Sequence, residues 1–319
     1  MTGPFAAAGG RNYGYGRDMA YAGQQAVAEY YGGGHFSTVA AHSNRFTQFS
    51  EWARGQGVRD VARNDPAQLL GEFAKYVGQQ VKSEDLTIAY GQNLISSAQV
   101  VLRAMTGDVR IKVSPVEYCG SRSNMRSTAP GSLDRSAVDK AVATMHSSGR
   151  DRAAAVVVLA RELGMREREA ILADLPRLKA EAQERGVVNV QEGAKGGRTA
   201  ERLVPVSAAA HGALRAALAA SPSGSRNLLA PGESYKQFVA SELRTGRQDL
   251  KEAGIVGYHD CRAGYACERY AQLTGHAAPA VAGERTATRE LDMEARRQIT
   301  HELGHGRIDV VVTYIGGTK

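Results

Sequence analysis

The chain has 319 residues, of which 43% are hydrophobic and 23% are charged, so it can form two domains of ordinary size with separate cores. Forty Lys and Arg residues against 33 Asp and Glu residues give a formal net charge of +7, which favours a polyanionic partner without selecting nucleic acid. No apolar run is long enough to span a membrane, and the N-terminus lacks the apolar region of a secretory signal. Three cysteines without a CxxC pair predict reduced thiols in a cytoplasmic protein.

Residues 1–34 are rich in Gly, Ala, Tyr and Gln and contain few aliphatic side chains. The strings Gly9-Gly10, Tyr30-Tyr31 and Gly32-Gly33-Gly34 show this composition most clearly. So little apolar surface does not offset the entropy that a chain loses when it becomes ordered. The composition therefore predicts a flexible tail over residues 1–34.

Residues 35–130 have the pattern of a compact helical domain. Phe46, Phe49 and Trp52 recur every three residues, a spacing that keeps them near one helix face. Asp65-Pro66 is a helix start signal, because a capping side chain precedes a proline at the first helical position. We expect this domain to end in a polar, basic linker.

Residues 131–319 are predicted to form the larger domain, in which helical patterns dominate. Two short β-rich runs at 187–190 and 202–206 flank the turn Lys195-Gly196-Gly197-Arg198. They predict a small antiparallel sheet. The predicted fold class is mainly α (α+β): an N-terminal helical domain, then a mostly helical domain with a small antiparallel sheet.

Several residues of the larger domain carry side chains suited to displacement at a phosphate without a metal. Such a reaction needs a nucleophile, cations that hold the non-bridging oxygens as charge develops, and an acid for the leaving oxygen. Arginine suits the oxygen-binding role because its planar guanidinium donates paired hydrogen bonds and stays charged. In chain order the candidate segments are Leu163-Gly164-Met165-Arg166-Glu167-Arg168-Glu169, Lys195, His259-Asp260-Cys261-Arg262, Leu303-Gly304-His305 and Tyr314.

Each of these residues alone has an ordinary structural explanation, such as a solvated arginine at a helix end or a packed tyrosine near the terminus. The signal lies in their order and close spacing, including the nine positions from His305 to Tyr314 (314 − 305 = 9). The ordered set resembles the tyrosine recombinase (phage-type integrase) family over most of the larger domain.

The resemblance implies a site-specific DNA recombinase that cuts and rejoins strands through a 3′-phosphotyrosyl intermediate, for integration or excision of a mobile element. It implies six catalytic residues and one supporting acid, namely Arg166, Lys195, His259, Arg262, His305 and Tyr314, with Glu169. In these roles the tyrosine attacks phosphorus, and the two arginines and His305 stabilise the transition state. The lysine protonates the leaving 5′-oxygen, His259 assists proton transfer, and Glu169 supports Arg166.

The resemblance also implies partners and location. Expected partners are double-stranded DNA carrying specific recombination sites, further copies of the chain in a homotetramer, and DNA-bending accessory proteins, but no membrane. The family pattern implies no cofactor and no metal. The helical domain over 35–130 occupies the place of the family's core-binding domain, which clamps the duplex together with the catalytic domain. We expect a cytoplasmic, nucleoid-associated protein.

Two features depart from the family pattern. Ala263 stands where the family usually has a histidine. The stretch before His305 is longer than usual and contains a string similar to Leu303-Gly304-His305, namely Leu273-Thr274-Gly275-His276, which has Arg285 instead of tyrosine nine residues on. We therefore assign the family motif to His305 and predict an insertion at about 274–293 that contacts DNA or another subunit.

A second chemistry fits part of the same region, because His301-Glu302-Leu303-Gly304-His305 matches the H-E-x-x-H pattern of a zinc hydrolase. A zinc site needs a third ligand, but after His305 only Asp309 is available, and the metzincin position is Val311. A DNA-binding relative without catalysis is a further alternative, and DNA binding without cleavage would favour it. A type IB topoisomerase uses similar chemistry, but the spacing of the motifs favours a recombinase.

Overall fold

The computed structural model describes residues 10–194 and 201–317. The chain divides into two compact units, unit 1 (Met1–Ser123) and unit 2 (Asn124–Lys319), so the predicted boundary after residue 130 lies too late in the chain. Arg126 explains the difference. Its backbone N–H donates to the carbonyl of Val312 at 3.0 Å, and its guanidinium pairs with Asp260 at 3.0 Å. Residues 124–130 therefore pack as part of unit 2.

Unit 1 is helical throughout the part that the structure describes. Its elements are α1 (Met19–Tyr31), α2 (Phe36–Gly55), a 3-10 turn (Val61–Arg63), α3 (Pro66–Lys82), α4 (Ile88–Thr106) and α5 (Pro115–Cys119). The predicted helix start is confirmed, because the Asp65 carboxylate accepts the backbone N–H of Ala67 at 2.8 Å and Pro66 opens α3. Gly107 ends α4 in the left-handed conformation at φ +72°.

Aromatic side chains form the centre of the unit 1 core. Phe46 and Phe49 of α2 are fully buried and stack with their ring centroids 5.1 Å apart. Phe49 meets Phe73 of α3 edge-on at 5.2 Å, and Trp52 lies 5.4 Å from the same ring. The three-residue spacing therefore places these α2 aromatics against α3, as one helix face requires.

The first helix contradicts the prediction of a flexible tail over residues 1–34. Residues 1–9 lie outside the described ranges, but Met19–Tyr31 is a helix capped by Asp18, whose side chain accepts the N–H of Tyr21 at 2.8 Å. A Cβ at Gly23 would lie 2.3 Å from the Phe46 ring, so the small side chains of α1 permit close packing on α2. This segment has little apolar surface, but its alanine and glycine residues let α1 approach another helix closely.

Unit 2 combines helices with a two-stranded sheet. Its helices are α6 (Arg135–Ser147), α7 (Asp151–Leu163), α8 (Glu167–Leu172), α9 (Leu175–Arg185), α10 (Ala208–Ala220), α11 (Tyr235–Phe238), α12 (Arg244–Glu252), α13 (Tyr258–Thr274), α14 (Pro279–Ala282), α15 (Arg289–Glu302) and α16 (Val312–Ile315). A π turn (Val239–Leu243) joins α11 to α12, and 3-10 turns cover Gly131–Leu133 and Ile308–Val311.

The sheet pairs β1 (Val187–Asn189) with β2 (Leu203–Pro205) in antiparallel register, with Val188 opposite Val204. The predicted fold class, mainly α with a small antiparallel sheet, is confirmed. The predicted turn at 195–198 lies outside the described residues. Within the described ranges, no helix is both long and apolar enough to cross a membrane.

Two buried helices organise unit 2 around the site. Helix α7 packs against α10 and α13, and α13 also packs against α15 and α16. Most of the first ten residues of α13 are buried. Gly264 permits a close approach here, because a Cβ at this position would lie 2.6 Å from the hydroxyl of Ser132. This packing brings the C-terminal end of α7 and the first turn of α13 to the same place.

Candidate active site

The predicted site residues that the structure describes come together in one cavity of about 820 Å³ in unit 2. Its lining includes five of them, namely Arg166, Glu169, His259, His305 and Tyr314. Arg262 is fully buried and reaches the cavity through its hydrogen bond to the lining residue Tyr314. Lys195 lies outside the described residues, but Ala194, the preceding residue, lines the cavity. Segments that are far apart in the chain therefore meet at a single site.

The end of α7 and the start of α8 present Arg166. Gly164 ends α7 in the left-handed conformation at φ +59°, and Arg166 then caps α8 in an extended conformation. The carboxylate of Glu169 accepts the Arg166 backbone N–H at 2.6 Å and its Nη1 at 2.5 Å. The short spacing from Arg166 to Glu169 thus makes a capping arrangement that holds the arginine at the cavity wall.

Glu169 is a fully buried anion that is surrounded by arginines. Its Oε2 lies 2.6 Å from Nη1 of Arg202 and 3.6 Å from Nη1 of Arg262. Burial alone would raise its pKa, but the charges of Arg202, Arg262 and Arg166 outweigh burial and lower the pKa to about 2. The carboxylate is therefore ionised at every physiological pH and neutralises part of the cationic cluster.

Arg202 also lines the cavity, although the sequence pattern predicts only that it is part of a strand. Its side chain is 6% exposed, and its Nε donates to the carbonyl of Glu302 at 2.7 Å. Its Nη2 donates to the carbonyl of Gly164 at 3.0 Å. Burial lowers the pKa of Arg202, and Glu169 opposes that shift. The only signal in the sequence was a charged residue opening a strand that is otherwise apolar.

Arg262 connects the ends of three elements. Its Nη1 donates to the carbonyl of Gly164, its Nη2 donates to the carbonyl of Leu303 at 2.5 Å, and its Nε donates to the hydroxyl of Tyr314 at 3.2 Å. Its Nη2 also lies 3.2 Å from Nε2 of His305. Burial and the charge of Arg202 lower the pKa of Arg262 to about 10, so it remains a cation at neutral pH.

Two histidines lie beside the tyrosine. The ring centroids of His259 and His305 lie 5.1 Å and 5.5 Å from that of Tyr314. The His259 side chain is exposed at one edge, yet loss of hydration, followed by the charges of Arg262, Arg126 and Arg166, lowers its pKa to about 4. Desolvation and the nearby arginines lower the pKa of His305 to about 3. Both imidazoles are therefore neutral at pH 7.

The protonation of His305 follows from its neighbour. An arginine side chain only donates hydrogen bonds, so the His305 Nε2 that faces Arg262 must accept. In the neutral ring the proton then lies on Nδ1, which is the form that can donate a hydrogen bond to an anion in the cavity.

The helix that carries Tyr314 is held within its own unit. Arg296 donates from Nη1 to the carbonyl of Gly316 at 3.1 Å and from Nη2 to the carbonyl of Gly317 at 2.8 Å. Asp292 pairs with Arg296 at 2.9 Å, and both side chains are 2% exposed. Asp292 belongs to the predicted insertion at 274–293, so this insertion supports the end of α16. Its predicted contact with DNA or a second subunit stays a prediction.

The H-E-x-x-H string adopts a geometry unlike that of a zinc-hydrolase site. His301 is exposed at the cavity, whereas Glu302 is buried and pairs with Arg269 at 3.0 Å. The Glu302 carboxylate also accepts the Tyr265 hydroxyl at 2.7 Å, so it does not face a position between His301 and His305. Among the described residues, no group of three or more His, Cys, Asp or Glu is placed to hold a metal ion.

The fold and site define a mainly helical protein with a tyrosine at a cationic cavity. Residues 124–268 match the family model described as Integrase. The family prediction is thereby confirmed: unit 2 contains an integrase-family domain of the tyrosine recombinase type. The matched range ends before His305 and Tyr314, which the tertiary structure adds to the site.

Two further comparisons complete the findings. The chain is similar to a solved structure described as "Crystal structure of XerA recombinase", with 15% sequence identity, a TM-score of 0.38, and coverage of 93% of this chain and 94% of that chain. A comparison with curated protein sequences found no match.

Proposed function

We propose that the protein is a site-specific DNA recombinase that cuts and rejoins DNA strands through a 3′-phosphotyrosyl intermediate. The observation that carries this proposal is the Tyr314 hydroxyl, 3.2 Å from Nε of a fully buried Arg262 and flanked by two histidines in a cationic cavity. The integrase-family domain supports it. A hydroxyl nucleophile beside fixed cations is the arrangement that attack on a phosphodiester requires.

In the proposed reaction the Tyr314 oxygen attacks phosphorus as the bond from phosphorus to the 5′-oxygen breaks. The tyrosine proton passes to the neutral His259, and Lys195 protonates the leaving 5′-oxygen. Attack by a 5′-hydroxyl of a partner duplex reverses the step and rejoins the strand. Because the phosphodiester bond energy is kept in the phosphotyrosine, no nucleotide cofactor is needed.

The arginines supply the cations for the transition state. Arg166 lines the cavity with its side chain 24% exposed and bonds to Glu169 through Nη1, so its remaining guanidinium donors can serve a phosphate oxygen in the cavity. Arg262 would turn the donors that now serve Tyr314 and His305 towards the same phosphate. Glu169 and Arg202 touch no substrate in this proposal, so they are positioning residues.

The wider assignments are part of the same proposal. Unit 1 would serve as the core-binding part that clamps double-stranded DNA together with unit 2. Strand exchange between two duplexes cuts four strands, so a homotetramer on DNA is the matching assembly, with bending proteins as accessory partners. Integration or excision of a mobile element is the corresponding role, in a cytoplasmic, nucleoid-associated location. DNA binding without catalysis is the alternative outcome.

Formation of the covalent adduct tests the proposal. The substrate is a suicide duplex made from the junctions that flank the gene or, where no repeat occurs there, a duplex selected for binding from a randomised pool. The wild type should form a denaturant-resistant adduct whose DNA maps to the peptide containing Tyr314. Tyr314→Phe should form none, whereas the control Tyr76→Phe, an exposed tyrosine in unit 1, should react normally.

Two results would count against the proposal in different ways. An adduct in Tyr314→Phe would show that another residue is the nucleophile. Tight binding by the wild type with no adduct on any selected duplex would favour a non-catalytic DNA-binding relative.

A further inference from the structure

A second cleft adjoins the active-site cavity, and the catalytic roles proposed above leave most of its residues unused. This side cleft has a volume of about 560 Å³ and shares Arg166 and His259 with the cavity. Its other cationic or aromatic lining residues are Arg126, Arg168, Arg247, Tyr235 and Tyr258. A strand that enters the cavity can therefore continue into the side cleft along a shared wall.

The helix that lines the side cleft contains a π turn, which brings two of its residues onto one face. Tyr235 and Arg247 are twelve positions apart, which in a regular α-helix would place them about 120° apart around the axis. The π turn at Val239–Leu243 accommodates roughly one extra residue, and this reduces the angle to about 20°. Both side chains consequently line the side cleft.

The cations of the side cleft are held in place, yet they are only partly neutralised. The guanidinium of Arg168 is exposed and lies 5.4 Å from the centroid of the Tyr235 ring, and in the described ranges no carboxylate pairs with it. The guanidinium of Arg247 lies 5.7 Å from the centroid of the Tyr258 ring and pairs with Glu167 at 2.8 Å. Glu167 thus pairs with Arg247, and the other lining carboxylate, Asp260, pairs with Arg126 at 3.0 Å, which leaves the exposed Arg168 without a carboxylate partner among the described residues.

The tyrosine hydroxyl is a fixed donor in the same place. The Tyr235 hydroxyl donates to Oε1 of Glu167 at 3.3 Å. Burial, reinforced by Glu167, raises the pKa of Tyr235 to about 12, so the hydroxyl stays protonated at neutral pH. Glu167 therefore orients both Tyr235 and Arg247, and the ring of Tyr235 supports Arg168.

We propose that the side cleft binds a backbone phosphate of the same DNA strand, next to the phosphate in the active-site cavity, through Arg168 and Arg247. This inference rests on the proposed function and names a contact that would fix the register of the strand. Successive phosphates advance about 3.4 Å along the duplex axis on each strand, so two pockets with a shared wall can hold neighbouring phosphates. The ligand is the phosphodiester itself, so the contact is independent of base sequence.

Binding measurements on the Tyr314→Phe background test this contact without requiring cleavage. Duplexes selected for binding are titrated with Tyr314→Phe and with the same chain carrying Arg168→Gln, Arg247→Gln or both. Each substitution should weaken binding by about tenfold or more, because it removes a charge-assisted hydrogen bond. The dependence of log affinity on log salt concentration should become shallower by about 0.9 in the double variant for the phosphate that it releases.

A matched control and a chemical substitution of the DNA identify the phosphate. Arg297→Gln removes an exposed arginine of α15 that pairs with the exposed Glu294, so it should leave affinity and salt dependence unchanged. A duplex with a neutral methylphosphonate at the contacted position should bind the parent protein about tenfold more weakly than the unmodified duplex does. The double variant should bind the modified and unmodified duplexes equally well. Wild-type affinity and salt slope in the double variant would overturn the inference. The inference would also fail if a methylphosphonate scan found no position at which the modification weakens binding by the parent protein but not by the double variant.

The π turn offers an independent test of the same site. Insertion of one alanine after Ser241, an exposed residue of the turn, adds a residue that the turn does not already accommodate and should rotate Tyr235 by about 100° relative to Arg247. We expect this variant, like the double arginine variant, to bind the modified and unmodified duplexes equally well. Its far-ultraviolet circular dichroism spectrum should match that of the parent. A folded insertion variant with the parent's methylphosphonate profile would contradict the role of the turn. Because the parent cannot form the Tyr314 adduct, failure here is separate from failure of the proposed recombinase activity.

Discussion

Glu169→Gln should destabilise unit 2 strongly, because it removes the one buried anion among three arginines. Glu169 has no exposed surface, and its pKa is lowered from 4.5 to about 2. At about 1.4 kcal/mol for each pH unit, this difference corresponds to about 3 kcal/mol of stabilisation of the charged form. We therefore expect the variant to lose about 3 kcal/mol of unfolding free energy at pH 7. Arg166 should also lose its anchor, so adduct formation should fall.

The same shift predicts how stability depends on pH. The folded-state pKa lies below the ordinary value, so the stabilisation is complete above pH 4.5 and is lost as the pH falls towards 2. Unfolding free energy of the wild type should fall steeply over this interval. Glu169→Gln has no proton to bind there, so its unfolding free energy should depend less on pH across the same window.

Urea unfolding followed by two signals checks both expectations. Trp52 is the single tryptophan and lies in unit 1, whereas far-ultraviolet circular dichroism reports both units. The variant should show an earlier transition by circular dichroism. Glu294→Gln is the control, since the carboxylate of Glu294 is exposed and its pair with Arg297 should contribute less than about 1 kcal/mol. Equal unfolding midpoints for Glu169→Gln and wild type at pH 7 would refute the argument that this carboxylate holds the arginine cluster together.

Three further predictions concern the surroundings of the tyrosine. Gly164→Ala should lower the unfolding free energy by more than about 1 kcal/mol, because φ is +59° and a Cβ would lie 2.6 Å from the ring of Tyr265; an unchanged urea midpoint would contradict this. Arg296→Met leaves Asp292 buried without its cation, which should cost about 3–5 kcal/mol in urea unfolding and reduce adduct formation, whereas Arg296→Lys should recover part of both. In the free protein His305 should be neutral from pH 5 to 8, because its pKa is lowered to about 3; a nuclear magnetic resonance titration of its ring with a midpoint near 6.5 would disprove this.

Much of the fold follows from local signals in the sequence. Asp65-Pro66 predicts the start of α3, because capping and the φ of proline act within a few residues. The Phe46 and Phe49 spacing predicts a buried helix face for the same reason. The composition of residues 1–34 gave a wrong prediction of a flexible tail. Its apolar content is low, but α1 packs through the close fit of Gly23 against Phe46, which belongs to a second helix. Short-range steric effects and hydrogen bonds can be predicted from the sequence, but the surface against which a helix packs cannot.

The sequence by itself determined the catalytic candidates, because the spacings from Arg166 to Glu169 and from His305 to Tyr314 are local and ordered. Only the tertiary structure decided what surrounds them. It added Arg202, since the contact of this arginine with Glu169 spans 33 positions of the chain and leaves no local pattern. It also placed Glu302 in an ion pair with Arg269 and in a hydrogen bond with Tyr265, not at a metal site with His301 and His305. Burial and long-range pairing set the charge of each group, and both depend on which segments meet in space.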